Sequence, residues 1–331
     1  MKTLAIITPV YNTEDYLEEF IESIVNQKGV DFDIYMVDDG SSDRSFEILQ
    51  RYAKIDSRFH IFRKSNGGVS SARNLALNMI KASKQEYNYI YFCDSDDWLE
   101  EGVLEKVIAA MKKNIADYGI FSVRKVFKDR AIAPKMNITN HQLLCHEDIL
   151  KQYFRYTFKW RKEPCSEAFL NNKIFNAELV LDKRFDETLQ RSEDFVFFIQ
   201  VLKGLHRGIL IPDAWFNYRM RKTSLTHCGY KSGDFKACLS LLEKHTNISN
   251  LEAKLLQHKF WRAAYLEICS GADLEDIYKE VRKIPIRIPF LLSDIKLFIL
   301  LFILPTSLVK AFVKFRYIIK KNEKANECFF E

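Results

Sequence analysis

The chain has 331 residues, of which 47% are hydrophobic and 14% aromatic, with only 11 glycines and 7 prolines. This composition excludes a disordered, collagen-like or low-complexity chain, because the apolar side chains suffice for a core. The net charge of +6, from 50 basic and 44 acidic residues, is too small to indicate nucleic-acid binding by itself.

Strand patterns alternate with helix patterns over roughly the first 125 residues. Strands are predicted over Leu4–Val10, Phe32–Val37, Phe59–Phe62, Tyr89–Cys93 and Tyr118–Val126. Helices are predicted over Glu14–Gln27, from Ser42 or Asp43 to about Ile55, and over Ser70–Ser83 and Glu100–Asn114. The alternation is typical of a mainly parallel, Rossmann-like α/β sheet with helices on both faces. Later residues lose it, and the chain is predicted to be helical from about Asp234.

Polar clusters follow three of the predicted strands, over Thr8–Asn12, Asp38–Ser42 and Asp94–Asp97. Ligands of such sheets bind beyond the carboxyl ends of the strands. We therefore expect the three clusters to meet at one edge of the sheet and to form a binding site there.

The segment Asp94-Ser95-Asp96 is a D-x-D pattern at the end of a predicted buried strand. Hard cations such as Mg²⁺ and Mn²⁺ take carboxylate oxygens together with substrate phosphates, so this pattern indicates a metal site. The alternative is a loop in which Asp97 only caps the helix predicted from Glu100.

Asp39-Gly40 and Tyr11 follow the first two strands. A carboxylate such as Asp39 can accept a hydrogen bond from a base N–H, and an exposed Tyr11 can stack on a base. The alternatives are an ordinary Asp-Gly turn and hydrophobic packing.

The segment Asn66–Asn74 is a glycine turn that runs into a helix. Its backbone N–H groups favour anions, and Arg73 can reach a phosphate or a carboxylate. It is neither a P-loop nor a G-x-G-x-x-G fingerprint, which argues against a nicotinamide dehydrogenase.

Ser192-Glu193-Asp194 opens a strongly apolar helix. Asp194 is a candidate general base, and the alternative is a helix start whose acidic residues favour the positive end of the dipole. Cations and hydroxyls from Tyr218-Arg219 through Ser224–His227 could bind pyrophosphate, or could belong to a solvated loop.

The ordered set TPVYN, VDDGS, NGGVSSARN, DSDDW and SED, followed by YR and SLT, closely resembles glycosyltransferase family 2 over about residues 3–230. The resemblance implies the GT-A fold, inversion at the anomeric carbon, and a bacterial role in capsule, lipopolysaccharide or lipooligosaccharide synthesis. The chain has no Q-x-x-R-W motif, so we do not expect a processive synthase.

The resemblance also implies residue roles. Asp194 would be the catalytic base, Asp96 would bind the metal, Asp94 would contact the donor ribose or sugar, and Arg73 would lie near the donor sugar or diphosphate. Asn172-Lys173 resembles a segment near the acceptor cleft, and Asn171 stands where many members have Trp. The remaining donor-binding residues would be Thr8, Pro9, Tyr11, Asp39, Gly68 and Ser95.

The function implied is transfer of a sugar from a nucleotide-sugar, with UDP favoured, to a hydroxyl of a glycan or lipid-linked acceptor. A divalent metal, Mn²⁺ or Mg²⁺, would neutralise the leaving diphosphate while Asp194 deprotonates the acceptor. The alternatives are an inactive GT-A binding or scaffold protein and a nucleotidyltransferase. Whether the chain forms an oligomer is left open.

The expected organisation is a GT-A domain over 1–230, with a nucleotide-sugar half to about 125 and an acceptor half from about 126, then a helical segment over 231–284 and a tail over 285–331. Between Arg282 and Lys324 there are ten basic and two acidic residues, which leaves 40 basic and 42 acidic elsewhere. The charge excess therefore belongs to the tail, and we expect no nucleic-acid partner.

The tail is predicted to lie on a membrane surface. Its apolar run Leu297–Leu304 is short against the ~20 residues of a spanning helix, and flanking lysines suit an anionic interface. The alternative is a helix packed on the protein or a partner. Seven scattered cysteines without a C-x-x-C pair indicate a reducing compartment. We therefore expect a cytoplasmic protein, peripheral on the inner face of the cell membrane.

Overall fold

A computed structural model describes residues 2–133, 140–149, 170–189, 193–202 and 204–221, together with Ile277. The chain divides into two compact units, Met1–His227 and Cys228–Glu331. Apart from Ile277, the predicted helical segment over 231–284 and the tail over 285–331 lie outside the described residues, as do Ser192 and Ser224–His227. Within the described part, no helix is long and apolar enough to cross a membrane.

Strands and helices alternate through the first unit. The strands are β1 (Lys2–Val10), β2 (Phe32–Asp38), β3 (Phe59–Arg63), β4 (Tyr87–Phe92), β5 (Trp98–Leu99), β6 (Tyr118–Val126), β7 (Ala131–Ile132), β8 (Gln142–Cys145), β9 (Lys173–Asn176) and β10 (Arg207–Arg219). The helices are α1 (Glu14–Val25), α2 (Ser45–Ile55), α3 (Val69–Ala82), α4 (Val103–Asn114), α5 (Ala177–Val180) and α6 (Glu193–Leu202).

These strands form one sheet in the order β3-β2-β1-β4-β9-β6-β10-β5, with β7 on β6 and β8 on β10. The first four strands are mutually parallel, as the alternation predicts, and β10 runs parallel to β6. β9 is antiparallel to both β4 and β6, which it separates. No strand was predicted there, because the apolar run Ile174-Phe175 is too short to show a period.

Alternate residues of the central strands face opposite sides of the sheet. On one side, Leu4 and Ile6 of β1 join Ile34 and Met36 of β2 in an apolar cluster with α1, α2 and α4. These helices contribute Leu17, Phe20, Ile21, Ile24, Leu49, Val103, Leu104, Val107, Ile108, Ala110 and Met111. Their spacing of three and four residues is the helical face that the sequence predicts.

The other side of the sheet is aromatic and is covered by α3 and α6. α3 packs against β1 and β2. Phe92 of β4 meets Phe197 of α6 edge to face at 5.3 Å, and Phe175 of β9 meets Phe198 at 6.2 Å. Helices therefore cover both faces, and the predicted α/β class is confirmed.

Two predicted helix starts are wrong. α2 begins at Ser45, with Arg44 at its N-cap position and no side-chain cap. Asp43 instead accepts from the backbone N–H groups of Ser45 and Glu14, both at 3.0 Å, and so ties α2 to α1. The helix expected from Glu100 begins only at Val103. Before it, Trp98-Leu99 pair with β10, so Asp97 does not cap this helix.

A loop after α5 is held against α3 and α6 by one aromatic residue. The Phe185 ring stacks on Phe197, with centroids 4.0 Å apart and planes 5° from parallel. Asn74 of α3 donates to the carbonyl of Phe185 at 2.9 Å and accepts from its N–H at 2.8 Å. Phe185 therefore links the two helices on this side of the sheet.

Replacing Phe185 with Ala should lower the free energy of unfolding by about 3–5 kcal/mol, because a buried ring is lost and a cavity remains. Urea denaturation of the purified protein measures this change. Ile55→Ala is the control, since its side chain is 75% exposed. A loss below about 1 kcal/mol for Phe185→Ala would contradict the packing described.

Candidate active site

The three polar clusters predicted at the strand ends do meet at one edge of the sheet. Ser41 accepts from the Asn12 backbone N–H at 3.0 Å, which joins the first cluster to the second. Thr13, directly after the first cluster, shares a hydroxyl hydrogen bond of 3.2 Å with Ser95 of the third. Hydrogen bonds therefore connect the polar segments at the ends of β1, β2 and β4.

The Asp39 carboxylate holds the glycine turn that precedes α3. It accepts from the N–H groups of Gly67 at 3.0 Å and Gly68 at 2.7 Å, and from Lys64 Nζ at 2.7 Å. Gly68 has φ 89°, a left-handed conformation that glycine adopts without strain. Asp39 thus has a structural task, and its predicted contact with a base stays a prediction.

Thr8, Pro9 and Tyr11 differ in their access to a ligand. Thr8 is fully buried, and its hydroxyl has no hydrogen-bond partner among the described residues. Pro9 is partly buried. Tyr11 is 51% exposed, so it alone of the three offers an open ring face. The predicted stacking on a base is sterically open to Tyr11 and stays a prediction.

Three carboxylates converge at the D-x-D segment, one more than the pattern predicts. Asp94, Asp96 and Asp97 each place an oxygen within 4.8 Å of the others. Asp97 accepts from the Arg219 N–H at 2.8 Å and from Asn171 Nδ2 at 3.4 Å. Its role at the site was missed because the residue lies where a helix cap was expected.

Burial shapes the protonation of this acidic cluster. Desolvation is the main cause that raises the pKa of Asp96, and the negative charge of Asp94 raises it further. Desolvation is also the main cause that raises the pKa of Asp97 well above its usual value, and the charges of Asp96 and Asp94 add to this rise. Carboxylates that repel one another in this way are a set that a cation would stabilise.

Two arginines at the end of β10 complete the cluster. Arg219 donates from Nε to the backbone carbonyl of Asp96 at 2.9 Å and from a terminal nitrogen to Glu19 at 2.6 Å. Arg221 forms an ion pair with the Asp96 carboxylate itself. Both arginines lie in the segment from Tyr218 to His227, for which the sequence predicts possible pyrophosphate binding, but Arg221 was not named individually.

Arg73 is buried between the two acidic segments that were predicted to bind the donor and to act as base. Its guanidinium donates to Asp94 at 2.9 Å and to Asp194 at 2.6 Å, and lies 3.7 Å from Glu193. Burial by itself would lower the pKa of Arg73, but Asp194, Asp94 and Glu193 raise it. Its side chain is only 2% exposed, so the predicted contact with the donor stays a prediction.

Asp194 lies at the start of α6, with its side chain 17% exposed. Desolvation raises the pKa of Asp194, while Arg73 opposes that rise. The pKa of the adjacent Glu193 is raised to about 7, because burial and Asp194 both disfavour its charged form. The geometry therefore places a partly accessible carboxylate against a fixed cation.

Asn171 is another member of the site whose role the sequence did not reveal. Its Nδ2 donates to Asp94 at 2.7 Å, and its backbone carbonyl accepts from the Tyr91 hydroxyl at 2.6 Å. The one signal for it was its place beside Asn172-Lys173. That pair lies inward, with Lys173 Nζ donating to Asn172 at 2.5 Å.

A mainly parallel α/β sheet with an acidic D-x-D cluster at its carboxyl edge defines a GT-A fold. TarS 1-349 of Staphylococcus aureus, solved with UDP-GlcNAc, has this fold with a TM-score of 0.66 and 20% identity, over 84% of this chain and 81% of that one. The sequence model of Glycosyl transferase family 2 matches residues 5–182. The chain belongs to this family of glycosyltransferase enzymes.

Relatives support the assignment. Glycosyltransferase GlyG of Streptococcus pneumoniae is 33% identical over 78% of this chain and 85% of its own length. A glycosyltransferase of Haemophilus influenzae is 38% identical over 70% of this chain and 85% of its own length. With EpsJ of Bacillus subtilis the identity is 28% over 69% of this chain, and the match spans only 64% of EpsJ.

The raised pKa of Glu193, about 7 against a usual 4.5, predicts a pH-dependent stability. Between these values the folded protein holds the proton longer than the unfolded chain, so this group's contribution falls as the pH rises. Glu193→Gln should therefore gain stability relative to wild type, on the order of 1–3 kcal/mol, between about pH 5 and about pH 8. Urea denaturation across that range measures the difference.

The control for this experiment is Glu18→Gln, because it also removes one carboxylate and the Glu18 side chain is half exposed. If both variants show the same pH dependence relative to wild type, the buried environment assigned to Glu193 is wrong.

Proposed function

We propose that this protein transfers a sugar from a nucleotide-sugar, with inversion, to a hydroxyl of a glycan or lipid-linked acceptor. The observation that carries the proposal is the Arg73 bridge, in which one guanidinium binds Asp94 of the D-x-D cluster and Asp194 of α6. Asp94, which is expected to contact the donor, and Asp194, which is expected to take the proton, are therefore bound to the same arginine.

The donor proposed is a UDP-sugar. TarS, which has the same fold, was solved in complex with UDP-GlcNAc. At the carboxyl edge of the sheet in this chain, Tyr11 is exposed and can stack on a base, while the Asp39 carboxylate binds the backbone of the glycine turn. The acceptor class and a role in capsule, lipopolysaccharide or lipooligosaccharide synthesis are proposed from the family resemblance.

A divalent cation fits the acidic cluster. Three carboxylates whose oxygens lie within 4.8 Å of one another are the donor set that Mg²⁺ and Mn²⁺ prefer. Asp96 would hold the ion, with Asp94 and Asp97 beside it. When bound, such an ion neutralises the negative charge that develops on the departing nucleoside diphosphate.

Asp194 is proposed to remove the proton of the acceptor hydroxyl. Desolvation raises the pKa of Asp194, and Arg73 opposes that rise and so favours the carboxylate form that a base requires. A hydroxyl that attacks from the face opposite the leaving group gives a β-linked product from an α-linked donor. The proton then resides on the Asp194 carboxylate beside the Arg73 guanidinium.

Nucleotide-sugar binding can be tested by thermal unfolding with a panel of UDP-, GDP- and CMP-sugars in the presence of Mn²⁺. A donor at a hundred times its Kd stabilises the folded state by ~2.7 kcal/mol. We expect at least one UDP-sugar to raise Tm by about 2–4 °C, and Asp96→Asn to lose the part of this shift that requires Mn²⁺. A panel without any shift would contradict the proposal.

Asp194→Asn tests the base. We expect this variant to fold and to bind the donor, while transfer falls by ~10²–10⁴-fold because the general base is lost. Transfer is measured with the donor found in the thermal panel. Asp182→Asn is the matched control, since its carboxylate is exposed and pairs with Lys81 at 2.6 Å. Transfer by Asp194→Asn within about tenfold of wild type would show that another group takes the proton.

A further inference from the structure

The two arginines at the end of β10 are held very differently. The Arg219 guanidinium packs over Trp98 at 4.5 Å and over Tyr16 at 5.0 Å, and it bonds both Glu19 and the Asp96 carbonyl. Its backbone N–H is bound as well, to Asp97 at 2.8 Å. Arg219 is therefore fixed by several partners that do not depend on any ligand.

Arg221 makes fewer polar contacts than Arg219 among the described residues. Its guanidinium lies over the Tyr16 ring at 4.9 Å and pairs with the carboxylate of Asp96. Its Nε is buried and has no hydrogen-bond partner within the part of the chain that the structure describes. The Asp96 ion pair is thus the main polar contact that holds this cation at the site.

The charge around Asp96 explains why a cation sits there. Asp94 and Asp97 each place a carboxylate oxygen within 4.8 Å of an Asp96 oxygen, so negative charge surrounds this carboxylate. Arg73 is engaged with Asp94 and Asp194, and Arg219 contacts only the backbone of Asp96. Among these groups, Arg221 alone places a guanidinium against the Asp96 carboxylate.

We propose that Arg221 is the resident counter-ion of Asp96 and that it competes with a divalent cation for this carboxylate. The inference rests on the metal site proposed at Asp96. The Arg221 guanidinium already places a positive charge against the Asp96 carboxylate. Like charges at such short range repel each other, so the ion pair and a divalent cation compete for this carboxylate. Arg221 therefore weakens metal binding in the absence of the nucleotide-sugar.

The test is calorimetric titration of the purified full chain with MnCl₂ alone, without any donor. Arg221→Gln should bind Mn²⁺ at least about fivefold more tightly than wild type, the lower end of typical coupling between two sites. Arg51→Gln is the control for net charge, since Arg51 of α2 forms an exposed ion pair with Glu18 of α1. It should bind Mn²⁺ as wild type does.

A double-mutant cycle places the effect at Asp96. In an Asp96→Asn background, Arg221→Gln should no longer change Mn²⁺ affinity, because the shared ligand is gone. The thermal transition of Arg221→Gln shows whether this variant folds. If it does not, Arg221→Met is titrated with Mn²⁺ instead, since it keeps an apolar side chain over Tyr16.

Equal or weaker Mn²⁺ binding by the Arg221 variant would overturn the proposal, and so would an undiminished gain in the Asp96→Asn background. The readout is metal affinity rather than sugar transfer. A protein that binds Mn²⁺ as expected but transfers no sugar would therefore support this inference and contradict the proposed function.

Discussion

The buried guanidinium of Arg73 is the interaction on which the rest of the site depends. An arginine taken out of water is costly unless carboxylates surround it, and here Asp94, Glu193 and Asp194 do so. The same contacts bring the end of β4 against the start of α6, two segments that are far apart in the chain. Asp94 and Asp194 accept hydrogen bonds from Arg73, whereas Glu193 lies farther away at 3.7 Å. Removing Asp94 or Asp194 would leave the buried guanidinium without full compensation, so these two carboxylates and Arg73 hold one another in place.

Packing on the same side of the sheet supports this ion-pair network. Arg73 lies over the Phe185 ring at 5.2 Å, and that ring also packs against Phe197 of α6 and Phe92 of β4. Asn74, the next residue of α3, binds the backbone of Phe185. A single turn of α3 thus supplies both the charge that binds Asp194 and the amide that positions the helix carrying it.

Several carboxylates lie at the carboxyl edge of the sheet, and each is balanced by a different set of partners. Asp39 is neutralised by Lys64 and by two backbone N–H groups of the glycine turn. Asp97 accepts from Arg219 and Asn171, while Asp96 pairs with Arg221. Asp39 and Asp97 are bound to backbone N–H groups, whereas Asp96 is paired with a less constrained side chain and is the carboxylate proposed to exchange this partner for a metal ion.

The sequence by itself determined the parallel core of the sheet, since buried strands and amphipathic helices leave a periodic signal in the chain. It also determined which polar segments meet, because carboxyl ends of parallel strands share one edge. Only the tertiary structure decided the partners. Arg73 and Asp194 are 121 positions apart and Arg221 and Asp96 are 125 apart, and no local pattern encodes such a pairing. The short strand β9 and the roles of Asn171 and Asp97 were decided in the same way, because burial and charge compensation act between segments that become neighbours only when the chain has folded.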